Sequence, residues 1–117
     1  MAEPTLVQVF GTGTTRLASG ATTSTSGLFI PDSALTTGGA TPSTATAEGV
    51  LVAITLNAKS YLTQANFDAN IDQSLTVAKG FSSFTTRGAD NIEYRQDQIS
   101  LSLSKVDSGA TIDPDDY

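Results

Sequence analysis

The chain has no cysteine, no histidine and no tryptophan in its 117 residues. Without cysteine there is no disulfide and no thiolate metal site. Without cysteine and histidine the usual ligands of zinc, copper and haem iron are missing. So are the commonest general base and the Ser–His and Cys–His nucleophile pairs. We therefore expect no catalysis and no cofactor. Charge is scarce too. Six basic residues stand against twelve acidic ones, a net charge of -6 at pH 7, and the pI is about 4.2. A chain this poor in Lys and Arg is not made for a phosphate backbone or an anionic membrane surface. No run approaches the roughly 20 apolar residues of a membrane-spanning helix. The opening Met1–Val7 has neither a basic region nor an apolar run of export-signal length, so we expect no cleaved signal.

Threonine and serine dominate what is there, with 18 and 13 copies. Threonine is β-branched and suits a half-exposed pleated surface, so the composition points to strands and extended loops. The clearest strand is Gln98–Lys105, where Ile99, Leu101 and Leu103 alternate with Ser100, Ser102 and Ser104. Such alternation buries one face and wets the other. We expect it at the centre of the core.

Taken in order, Thr5–Phe10 reads as a short strand with apolar groups of both parities, suited to adding to another sheet. Residues 11–48 are rich in Gly, Ser, Thr and Ala, and Leu28-Phe29-Ile30 is their clear apolar cluster. Pro31 biases Ile30 to an extended conformation. Fixing a residue costs about 1–2 kcal/mol of backbone entropy, more than these few side chains return. This segment reads as an arm ordered against a partner, or else as plain disorder or a long but local surface loop. Val50–Leu56 is nearly continuous in apolar residues and reads as a central strand covered on both faces. Thr63–Asn70 reads as a helical turn capped by Thr63, or as a loop. A third strand runs from Ile71, with a bulge at Gly80. Gly88–Asn91 is the turn. The change of parity between Tyr94 and Ile99 places a bulge or loop at Arg95–Gln98. The tail from Asp107 reads as exposed and acidic, with Ile112 and Tyr117 as anchors.

Three constellations resemble chemistry and do not reach it. Gly11-Thr-Gly-Thr-Thr-Arg16 lacks the third glycine of a dinucleotide loop and the Gly-Lys-Ser/Thr of a P-loop. Asp113, Asp115 and Asp116 lack the spacing of a calcium loop. Asp68 with Asp72, and Asp90, Glu93 and Asp97, offer carboxylate pairs, but so small a core builds no sugar cleft around them.

The predicted fold is mainly β: a small antiparallel sandwich or barrel-like body at 49–117, behind a long extended N-terminal arm at 1–48. A body of that size, with open sheet edges and no staple, calls for oligomerisation or docking. The partner contacts expected are Leu6, Val7, Val9 and Phe10 in the first strand. In the arm they are Leu28, Phe29 and Ile30, and in the tail Tyr117.

With an arm GATTSTSGLFIPDSALTTGGATPSTATAEG ahead of β-patterned GVLVAITLNAKSYL, DQSLTVAKGFSSFTTR and EYRQDQISLSLSKVD, the whole chain resembles the small virion structural proteins of tailed bacteriophages. It is most like the capsid decoration, or cement, proteins. The resemblance is one of composition and architecture and carries over no individual functional residue. It implies a structural role on the virion, after synthesis in the host cytoplasm. It also implies binding to the major capsid protein or other virion subunits, as a homo-oligomer, with a trimer ahead of a hexamer. Neck, tail-terminator and other head–tail connector subunits share the profile. A cell-surface adhesion β-module is the alternative of another class.

Overall fold

The structure is a computed structural model that describes residues 3–107, 109 and 111–117. The chain forms two compact units, Met1–Asn57 and Ala58–Tyr117. It has four helices and one two-stranded antiparallel sheet among the described residues. The antiparallel pairing expected from the sequence is present. The sandwich or barrel is not: the sheet is open and the described fold is mixed α and β.

In the first unit, residues 6–10 form helix α1 (Leu6–Phe10) instead of a strand. The cause is a capping box. Gln8 N–H donates to Thr5 Oγ1 at 3.2 Å, and Thr5 N–H donates to Gln8 Oε1 at 2.8 Å. Gly11, at φ 111°, ends the helix. Residues 12–31 are irregular and almost wholly exposed. The arm does not extend to Glu48, because helix α2 (Asp32–Thr37) turns Leu35 inward.

Helix α3 (Ala47–Lys59) replaces the expected central strand and is the longest helix described. Its N-terminus is held by Thr46, whose Oγ1 accepts from Gly49 N–H at 3.0 Å. The face that carries Ala47, Val50 and Ala53 is buried. Val50 and Ala53 join Leu35 in the core, with Ala40, Ala45 and Ile54 around them. Leu51, Val52 and Leu56 stay exposed. A solid apolar run satisfies a period of 2 and a period of 3.6 equally, so partner surface decides. Leu35 supplies that surface. Gly38 lets α2 come close: a Cβ there would lie 2.8 Å from Ala53 Cα and closer still to the Ala53 carbonyl oxygen.

In the second unit, helix α4 (Gln64–Ala69) is the predicted turn with the predicted cap. Thr63 Oγ1 accepts from Asn66 N–H at 3.1 Å. The sheet pairs β1 (Leu75–Arg87) with β2 (Ile92–Leu103). Its root is tied down by backbone bonds from Val77 N–H to Leu62 O at 2.9 Å and from Ser104 N–H to Ser74 O at 2.8 Å. Gln73 Nε2 adds bonds to Thr63 O and Leu75 O. Val77 is the buried residue of β1, and no residue of β2 is buried. The strand Gln98–Lys105 therefore exists through Leu103 but is not the core. After it, Lys105 Nζ binds Thr111 O at 2.8 Å and Asp116 Oδ2 at 3.0 Å. This folds part of the acidic tail back into a 3₁₀ turn at Pro114–Asp116.

Candidate interaction surface

Strands β1 and β2 pair from Leu75 opposite Leu103 out to Arg87 opposite Ile92. At about 3.3 Å per residue the ribbon is ~40 Å long. Its end is the predicted turn, with Gly88 at φ 74° and Asn91 at φ 54°. Both are left-handed conformations that Gly and Asn accept most readily. The register shifts once, between Lys79 and Ser82, so the bulge lies at Gly80-Phe81 of β1. The break expected at Arg95–Gln98 is absent, and β2 runs through it. Gly80 faces Gln98, whose Cβ would stand 2.9 Å from any Cβ at position 80. The parity change in β2 thus reflects a change of which face is apolar, not a break in the strand.

Opposed residues share a face. One face carries Leu101, Leu103 and Ile99 near the root, then Asp97, Arg95 and Phe84 toward the turn. The other carries Ser100 and Ser102 near the root, then Tyr94 and Ile92. Arg87 stacks on the Tyr94 ring at 5.8 Å. Every residue from Phe81 to Leu103 is exposed. Phe81 is 86% exposed and Phe84 65%. Beyond the buried Val77 at its root, the ribbon has both faces exposed from Phe81 to Leu103, and a two-stranded ribbon without a buried face is marginal in water. The row of exposed aromatic and aliphatic residues makes this ribbon the candidate interaction surface.

Polar contacts on the first face fix its middle. Ser82 Oγ donates to Asp97 Oδ1 at 2.6 Å, and Arg95 Nε donates to the same oxygen at 2.9 Å. Arg95 Nη2 also reaches Ser82 Oγ at 3.3 Å. The Ser82 hydrogen bond, then that of Arg95, holds the Asp97 carboxyl below the usual aspartate range. A depressed carboxylate contributes stability above its unfolded value, near pH 4, and loses it as pH falls through the folded value. An NMR titration of the Asp97 carboxyl carbon is expected to give a midpoint below that of a model peptide. Ser82→Ala is expected to move it back up. An unshifted wild-type midpoint would remove this contact from solution.

The residues predicted for partner contact fall elsewhere. Leu6, Val7, Val9 and Phe10 lie on α1, with Val7 and Phe10 exposed and Leu6 and Val9 half-buried. Leu28 is 89% exposed, and Phe29 and Ile30 are exposed beside it. Tyr117 is half-buried, with Lys105 Nζ 5.8 Å from its ring centre. The ribbon side chains Phe81, Phe84, Ile92 and Tyr94 are not among the contacts that the sequence points to.

An open cleft of about 540 Å³ sits at the ribbon root, lined by Phe67, Ile71, Gln73, Ser104, Lys105 and Asp116. Gln73 Oε1 is buried there without a hydrogen-bond partner. Among the described residues no three His, Cys, Asp or Glu side chains group as a metal site. No helix among them is long and apolar enough to cross a membrane. Comparisons with protein-family models, characterised proteins and solved structures give no match.

Proposed function

We propose that the chain is a non-enzymatic structural subunit of a tailed-phage virion, a decoration protein that binds the assembled capsid and stabilises it. The ribbon carries this reading. It offers apolar side chains on both faces that stay exposed from Phe81 to Leu103 among the described residues, so another subunit's surface is the natural place for them. The exposed segment Leu28-Phe29-Ile30 is a second apolar contact on an irregular arm. The lack of His and Cys, and the compositional resemblance to cement proteins, favour a structural role over a catalytic one. A neck or tail-terminator subunit is the second reading. A ribbon of ~40 Å is long enough to cross onto a neighbour in a ring, which favours it.

Co-sedimentation of the purified chain with tailed-phage capsids tests the proposal. Saturable binding in proportion to the number of capsid subunits is expected. A few copies per particle, lost when the neck is removed, would move the protein to the connector. No binding to either would overturn both readings.

A further inference from the structure

The edge of the ribbon differs from its faces. Among the described residues the backbone of β2 bonds only to β1, so its outer edge is unpaired over 12 residues. The outer edge of β1 is partly taken, since Val77 N–H donates to Leu62 O. Open edges of this length invite another strand.

Charge selects the occupant. The chain has a net charge of -6, yet the ribbon is neutral: Lys79, Arg87 and Arg95 balance Asp90, Glu93 and Asp97. Two copies can therefore meet at the ribbon without bringing net negative charge together. The order of charge along β2 goes further. Glu93, Arg95 and Asp97 share one face in the order negative, positive, negative. Place a second β2 antiparallel beside the first, about a two-fold axis at Gln96. Arg95 then stands opposite Asp97 of the partner subunit, and the symmetry repeats the pair. An axis at Tyr94 sets Arg95 opposite Glu93 of the partner subunit instead. Both registers match opposite charges, and cross-strand pairs of opposite charge stabilise a sheet.

We infer that β2 is a self-association edge, through which two copies of this chain pair to make a four-stranded antiparallel sheet with the order β1-β2-β2-β1. The contact is isologous, the same patch on both subunits. It leaves the ribbon faces, with Phe81 and Phe84, free for another partner. It also lifts the sheet past the three strands that independent stability asks for.

A charge swap tests it. Arg95→Glu makes the β2 row wholly negative, and Glu93→Lys with Asp97→Lys makes it wholly positive. All three positions are exposed, but the variants also lose the Ser82–Asp97–Arg95 contacts, so circular dichroism of each variant checks that the fold survives before association is compared. Sedimentation velocity on the full chain is expected to show a wild-type dimer of the 12.1 kDa protomer. Each variant alone is expected to associate about tenfold more weakly or worse, as like charges face each other. Mixing the two variants is expected to restore the dimer. A monomeric wild type, a variant that dimerises as the wild type does, or a mixture that stays monomeric would overturn the inference. Capsid binding is scored separately. A monomer that still binds capsids rejects the pairing and keeps the proposed function, and a dimer that binds none does the reverse.

Discussion

Replacing Gly38 by alanine is expected to destabilise the first unit by about 3 kcal/mol, at the upper end for overpacking. The added methyl group has no free space. It would meet the Ala53 carbonyl oxygen, with the Ala53 carbonyl carbon at 2.7 Å and its Cα at 2.8 Å. These are backbone atoms of a helix, so no rotamer change relieves the clash. Helix α2 must move off α3, and Leu35 leaves its contact with Val50 and Ala53. Among its described residues this unit buries only Leu35, Ala47, Val50 and Ala53, and the cluster Leu35, Val50 and Ala53 is the core. Urea denaturation followed by circular dichroism reads the loss. Gly27→Ala is the control, because a Cβ there meets nothing within 4 Å. It is expected to stay within about 0.5 kcal/mol of wild type.

The double substitution Phe81→Ser and Phe84→Ser is expected to leave the free protein nearly unchanged and to abolish docking. Both side chains are mainly exposed, so the loss in the free chain is limited to strand preference, about 1 kcal/mol or less. Aromatic residues that become buried at an interface centre cost about 2 kcal/mol or more each on truncation. That corresponds to roughly 30-fold in affinity per residue. Co-sedimentation with capsids and a urea melt of the same variant separate the two effects. A variant that melts normally but still binds would place the docking contact away from the ribbon turn.

Much of the second unit is legible in the sequence. Thr63 caps α4, Gly80 marks the bulge, and Gly88 and Asn91 make the turn, all because local chemistry decides them. The first unit is less legible. Thr5 and Gln8 hold a capping box, yet the mixed parity of Leu6–Phe10 points to a strand. Val50–Leu56 fits either period, and only the arrival of Leu35 fixes a helix. The alternation at Ile99–Leu103 correctly gives a strand, but alternation describes faces and says nothing of what covers them. Here nothing within the ribbon does. The exposure of Phe81, Phe84, Ile92 and Tyr94 is therefore visible only in the structure.

Hydrogen exchange of the chain, free and bound to assembled capsids, tests the central claim most directly. Docking through the ribbon predicts that amides between Leu75 and Leu103 slow markedly on binding, most of all around Phe81 and Phe84. Unchanged exchange across this stretch, in a chain that demonstrably sediments with the capsid, would contradict it.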